Sequence, residues 1–323
     1  VSEQGGTRRV VLFALAGNIA VAALKFVASA LSGSTALLTE AIHSLVDTTD
    51  QGLMLIGLAR AKRPPDESHP FGYGMETYFW GFIVALMVFF ASGCVAVGEG
   101  VERLLNPGDV TRPWLNLGVI AASAVFEVLS FRPGYKEYRR MVRGRDVPLW
   151  KFVVLSKDPN LFATLLEDVG AMIGLGIAAL GVIGSAWLGL DWADGVASVA
   201  IGVLLVLTAV FMANETRSLI AGEAAAPAIV EGARAAVRQA GVAGELKALR
   251  TLHLGPDKIL AALSWTFPQG LPREAAAEGL ETLVAALRGS DPRITEVLLT
   301  PAETGSDGAA QSHAAEPEAH AST

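Results

Sequence analysis

The sequence predicts an α-helical membrane protein with six transmembrane helices, followed by a small α+β domain, and three observations carry that expectation. Apolar residues make up 52% of the 323 positions against 18% charged, a balance outside the range of ordinary soluble domains. Six apolar runs, at 10–31, 36–58, 78–101, 115–131, 161–188 and 196–212, each approach the ~20 residues that a helix needs to cross ~30 Å of hydrocarbon. After residue 222 the long apolar runs stop and shorter periodic patterns replace them.

The segments between the runs set an expected orientation. Arg8 and Arg9 precede the first run, Arg60, Lys62 and Arg63 follow the second, and Arg132, Lys136, Arg139, Arg140, Arg143, Arg145, Lys151 and Lys157 lie between the fourth and fifth. The alternate segments hold few cations, with Arg103 and Arg112 near Trp114, and Asp191 and Asp194 between the fifth and sixth runs. Positive charge stays on the cytoplasmic side, so both termini are expected there, with a bacterial inner membrane as the expected location. The domains read as a cytoplasmic segment 1–9, a transmembrane domain 10–222, a cytoplasmic domain 223–302 and a disordered tail 303–323, rich in Ala, Gly, Ser and Glu.

Within the cytoplasmic domain, 227–240 has helical amphipathicity and 247–254 reads as a strand. Gly255-Pro256-Asp257 signals a turn, and Ile259, Ala261, Leu263, Trp265 and Phe267 alternate as one buried strand face. A helix at 273–287 and a strand at 293–299 complete an α-β-β-α-β order, ferredoxin-like, with helices over one face of a small antiparallel sheet. The net charge of −7 arises from acidic residues in this last third, and no basic face suits nucleic acid. One cysteine, Cys94, excludes an intrachain disulfide framework and reads as a packing residue.

Ionisable groups inside the apolar runs carry the functional signal, because a charge at membrane depth is costly unless paired, solvated or bound to an ion. Glu40, His43, Asp47 and Asp50 fall on one face of the second helix, a polar stripe about three turns long. His43 and Asp47, one turn apart, offer an imidazole nitrogen and a carboxylate oxygen, a donor set that suits zinc and other divalent first-row metals. Asp168 on the fifth helix is the natural third donor, with Glu167 or Thr164 assisting. Glu40 and Asp50 are candidate pathway residues. Asn18, Lys25 and Glu127 read as packing, snorkelling or helix-pairing groups. Gly170 and Gly174 form a small-residue face expected to admit a close neighbouring helix.

The run from Gly33 to Asp47 with His43 inside it, the loop Ser68-His69-Pro70-Phe71-Gly72-Tyr73-Gly74, the segment from Asn214 to Glu223, and Leu252-His253-Leu254-Gly255-Pro256-Asp257 resemble the cation diffusion facilitator family, most of all its zinc transporter 9-like branch. The resemblance covers roughly residues 8–301. It implies a homodimeric, proton-coupled exporter of divalent cations, with a central site built from two donors on each of the second and fifth helices. By position those are His43, Asp47 and Asp168, while Thr164 stands where the family usually has His or Asp. The family's second site, in the loop after the second helix, matches at Asp66 and His69, with Tyr73 in place of its other histidine. His253 is the one histidine of the cytoplasmic domain, so no strong metal cluster is expected there.

The expected function is therefore export of a divalent transition metal, zinc foremost, with manganese, iron, cobalt or nickel as alternatives, by alternating access around a midplane site. Ligands must lose protons to bind a metal, which gives a route to proton exchange. A non-transporting membrane metal sensor or scaffold is the rival reading, through the substitution at Thr164. A membrane hydrolase lacks any His-Glu-x-x-His pattern. A channel would need polar residues along a continuous path rather than a cluster at one depth.

Overall fold

The computed structural model describes residues 18–106, 111–142, 147–149, 151–152 and 158–301. The expected cytoplasmic segment 1–9, the first part of the first span and the tail 303–323 lie outside the described residues. The long helices of the membrane unit among those residues are α1 (Asn18–Ser32), α2 (Thr35–Ala61), α3 (Glu76–Leu105), α4 (Pro113–Val142), α5 (Pro159–Trp187) and α6 (Ala193–Ile220). Four of them, α3 to α6, are long and apolar enough to cross a membrane, and α1 is a shorter apolar helix. At 27 residues α2 reaches ~40 Å at 1.5 Å per residue. Its mean hydropathy is lowered by Glu40, His43, Asp47 and Asp50.

The surface of this unit fits lipid. Large apolar side chains such as Leu24, Val27, Phe90, Val125, Leu180 and Leu207 stand exposed, more than a soluble surface carries in contiguous patches. Trp114 and Trp187, exposed at neighbouring helix ends, pack edge to face with centroids 5.0 Å apart, as interfacial aromatics do. Cys94 is exposed as well, not the packing residue expected.

Local chemistry fixes the helix ends. Gly33 has φ 71°, the left-handed conformation that lets α1 close and α2 begin two residues later. Ser34 then caps α2, its hydroxyl accepting from the Leu37 N–H at 3.2 Å. Asp194, at the start of α6, adds a second cap: Oδ1 accepts from Ser34 Oγ at 2.6 Å and Oδ2 from the Thr35 N–H at 2.6 Å. A carboxylate at a helix N-terminus complements the positive end of its dipole.

Helix α3 contains a π-helical stretch, Val88–Cys94. Around it α3 and α6 approach until backbones touch: a Cβ on Gly202 would lie 2.7 Å from the Val97 nitrogen, and one on Gly100 would lie 2.7 Å from the Val199 nitrogen. This seam supplies the close helix approach that the sequence suggested for Gly170 and Gly174. Gly170 has open space around it, and Gly174 faces a side chain. Thr39 and Ser198 hydroxyls, 2.6 Å apart, and Ser198 donating to the Ala96 carbonyl at 3.1 Å tie α2, α6 and α3 together. Helix α4 runs through Pro133 to Val142, well past the expected 131.

The C-terminal unit comprises 227–251 and 260–323 by compactness, while 252–259 groups with the membrane unit. Its elements are α7 (Pro227–Gln239), β1 (Glu245–Gly255), β2 (Lys258–Thr266), α8 (Arg273–Ser290) and β3 (Ile294–Pro301), in the expected α-β-β-α-β order. The sheet order is β1-β2-β3. Ala261, Leu263 and Trp265 alternate inward on β2, and Ile229, Ala233 and Val237 on α7 with Leu283 and Leu287 on α8 supply the apolar cover.

Candidate metal site

The stripe on α2 and the acidic pair on α5 meet at one cavity of about 20 Å³, room for roughly one water or ion. Asp47, Thr164, Glu167 and Asp168 line it, with Asn18 and Val21 on α1, Ser44 and Gln51 on α2, and Phe126, Glu127 and Ser130 on α4. His43 stands behind Asp47: its Nδ1 lies 3.2 Å from Asp47 Oδ1, without the alignment of a hydrogen bond. Asp50 is buried on α2 one turn beyond Asp47.

The polar atoms here are under-satisfied. Both ring nitrogens of His43, Asp47 Oδ1, both Asp50 carboxylate oxygens, Glu167 Oε1 and Asp168 Oδ2 are buried without a hydrogen-bond partner. Buried polar atoms in native proteins are nearly always partnered, so a cluster of orphaned acceptors around a small cavity points to a cation as the missing partner. Among the described residues no three His, Cys, Asp or Glu side chains yet converge as a ligand set. Asp47, Thr164, Glu167 and Asp168 share the cavity, His43 is not among its lining residues, and the side chains would have to rotate to meet on one ion.

Of the packing, snorkelling and helix-pairing roles expected for Lys25, it takes the last. It is fully buried, donating to Ser44 Oγ at 2.7 Å and to Glu40 Oε2 at 3.3 Å. Glu40 is equally buried. Removing one partner of such a pair leaves the other charge uncompensated, a cost of about 3–5 kcal/mol. Asn18 Nδ2 donates to Gln51 Oε1 at 3.0 Å, a second α1–α2 contact.

In the loop between α2 and α3, Asp66 is engaged within its own turn. Its carboxylate accepts from the Tyr73 hydroxyl at 2.6 Å, the Ser68 hydroxyl at 2.8 Å and the His69 N–H at 2.8 Å. These bonds, Tyr73 first, hold the Asp66 carboxyl well below the usual carboxylate range. His69 stacks on Tyr73 with centroids 4.1 Å apart. Tyr73 thus does for Asp66 what a partner donor does, in the position where a histidine ligand was expected. His253 is buried, its Nδ1 3.4 Å from the Gly255 carbonyl.

A bundle of lipid-facing helices around an acidic cavity defines an integral multi-pass membrane protein. Residues 11–221 match the cation efflux transmembrane domain, and the chain belongs to that family, the cation diffusion facilitators, with a zinc transporter 9-like relationship. Members of the family are transporters rather than enzymes. The chain is 30% identical over 226 residues to the mitochondrial proton-coupled zinc antiporter SLC30A9 of Homo sapiens, which covers 70% of this chain and 40% of that protein. It is 28% identical over 218 residues to metal tolerance protein C4 of Arabidopsis thaliana, covering 68% of this chain and 48% of that one. It is also 28% identical over 285 residues to the magnetosome protein MamM of Magnetospirillum gryphiswaldense, covering 87% and 83%. The chain thus spans less than half the length of the first two relatives.

Proposed function

We propose that this protein is a proton-coupled transporter of divalent transition-metal cations, zinc foremost, moving the metal out of the cytoplasm by alternating access. The cavity that unites Asp47 with Glu167 and Asp168, ringed by orphaned buried acceptors, carries the reading. The cation efflux match and the zinc antiporter named among the relatives support it.

In this account His43, Asp47 and Asp168 are the first donors to the ion. Glu167 or Thr164 completes the set when the cavity contracts around it. Thr164 offers a neutral oxygen where His or Asp would bring a stronger ligand, and Glu167 lies on the same cavity wall. Protons leave His43 and the carboxylates as the ion enters and return after its release, so metal movement is tied to proton movement in the opposite sense. The arrangement of Lys and Arg supports both termini on the cytoplasmic side of a bacterial inner membrane. The family resemblance supports a homodimer. Asp66 and His69 are the candidates for a second ion at the membrane surface, weakened by the engagement of Asp66 with Tyr73.

The test is purified protein in liposomes loaded with a pH-sensitive dye and given a zinc gradient. Coupled exchange gives a pH change opposite in direction to the zinc flux and dependent on zinc. Zinc flux without a pH change contradicts the coupling. Absence of flux for zinc, manganese, iron, cobalt and nickel alike, from folded protein, favours the sensor or scaffold reading.

A further inference from the structure

The cavity around Asp47 does not continue along α2 toward Ser34. Val21 and Ser44 line it. One turn further on each helix stand Lys25 and Glu40, and both side chains are completely withdrawn from solvent. Lys25 Nζ bridges from α1 to two residues of α2, Ser44 Oγ at 2.7 Å and Glu40 Oε2 at 3.3 Å. Glu40 Oε1 turns away from the lysine without a hydrogen-bond partner. It occupies the space above Gly174 on α5, where a Cβ would overlap it. The pair therefore joins α1, α2 and α5 at one level. Beyond it, toward the Ser34 and Asp194 end, an apolar cluster of Ala28, Ala36, Leu37, Leu175, Ala178 and Val182 lies beside buried polar groups, Thr39, Ser198 and Asn116 among them.

We propose that the Lys25–Glu40 ion pair, seated on Gly174, is the closed gate of this transporter, and that a divalent cation leaves toward the Asp194 end by taking Lys25's place on Glu40. Three features fit that role better than a purely structural one. A buried ion pair contributes little net stability against an apolar replacement, so its presence against the apolar cluster asks for another reason. Glu40 retains one unpartnered oxygen, so it has acceptor capacity beyond its lysine. A tethered ammonium can fill the carboxylate site while the path is closed, and a divalent cation offers the stronger attraction once it arrives. The small residue at 174 explains how a carboxylate fits against a packed helix. This inference rests on the transport reading, but its test needs no metal flux.

The test is one-sided cysteine labelling in a Cys94→Ser background with Val21→Cys as reporter, in right-side-out and inverted membrane vesicles from expressing cells. With the gate intact, a thiol reagent that fits the cavity, Ag+ added to one face and read as protection of the reporter from maleimide after denaturation, labels the reporter from the cavity side alone. Lys25→Met raises labelling from the opposite face at least tenfold, with cavity-side labelling retained as the sign of folded protein. Gly174→Ala keeps both charges and displaces Glu40, and it raises labelling in the same sense; it also decides the matter if Lys25→Met does not fold. Elevated opposite-face labelling in either folded variant supports the gate. Labelling of both variants from the cavity side alone, as in the parent, overturns it even if the protein transports metal. A transport failure with elevated labelling would instead count against the transport reading.

Discussion

His43 Nδ1 lies 3.2 Å from Asp47 Oδ1 across one turn of α2, with the imidazole almost fully buried and the carboxylate at the edge of the cavity. That relationship sets two unlike donors side by side on a single helix. In the proposed transport site, α5 supplies further donors through Asp168 and its neighbours on the cavity wall.

The first prediction concerns the unusual member of the set. Thr164→His adds an imidazole to the cavity wall, at the position that the family resemblance aligns with a metal ligand. Zinc binding tightens by about tenfold, ~1.4 kcal/mol, measured by competition with a fluorescent chelator on detergent-solubilised protein. An unchanged affinity would mean that Thr164 faces the cavity without addressing the ion.

Asp194 holds the start of α2 from the start of α6 by accepting from Ser34 Oγ and the Thr35 N–H. Asp194→Ala leaves those buried donors without acceptors. The expected loss is about 2–3 kcal/mol, read as a lower thermal midpoint in detergent, and Asp194→Asn recovers part of it.

At the α3–α6 seam, Gly202→Ala would put a methyl group 2.7 Å from the Val97 backbone nitrogen. The helices must separate, at a cost of about 1–3 kcal/mol. The signature is a lower thermal midpoint. Gly98→Ala on α3, with nothing near its added Cβ, leaves the midpoint unchanged or raises it slightly, since alanine favours the helix.

Asp66 in the α2–α3 loop titrates below the ordinary carboxylate value of about 3.9. A carboxylate depressed by folding supports its loop at pH above that ordinary value. The support is lost as pH falls toward the lowered one. Tyr73→Phe removes the first of its donors, so the titration moves upward. The check is a pH series of carboxyl carbon NMR shifts on aspartate-labelled protein, comparing Tyr73→Phe with the parent and assigning the signal with Asp66→Asn.

Much of this architecture was legible because hydropathy and helical spacing act locally. The apolar runs became helices, the fourth and sixth running well past their expected C-terminal ends, and Asp47, Thr164, Glu167 and Asp168 came to one cavity. Where the sequence misled, the deciding partner was far away in the chain. Lys25 reads as a packing, snorkelling or helix-pairing residue, and only the positions of Glu40 and Ser44 choose the last of these. Asp194 reads as a loop residue, although an acidic residue opening an apolar run is a signal that it serves a neighbouring helix. The α3–α6 seam had a signal in the seven-residue spacing of Gly93 and Gly100 and of Gly195 and Gly202, two turns of helix on one face. Gly174, read as a helix contact, accommodates a carboxylate instead.

The most direct test of the central claim is metal uptake into proteoliposomes under an imposed pH gradient, comparing the parent with Asp47→Ala and Asp168→Ala. The account predicts zinc-dependent uptake in the parent and its loss, by at least a hundredfold, in both variants, with each variant still folded by size-exclusion chromatography. Parental uptake in folded Asp47→Ala and Asp168→Ala protein would place the transported ion elsewhere and contradict a site shared between α2 and α5.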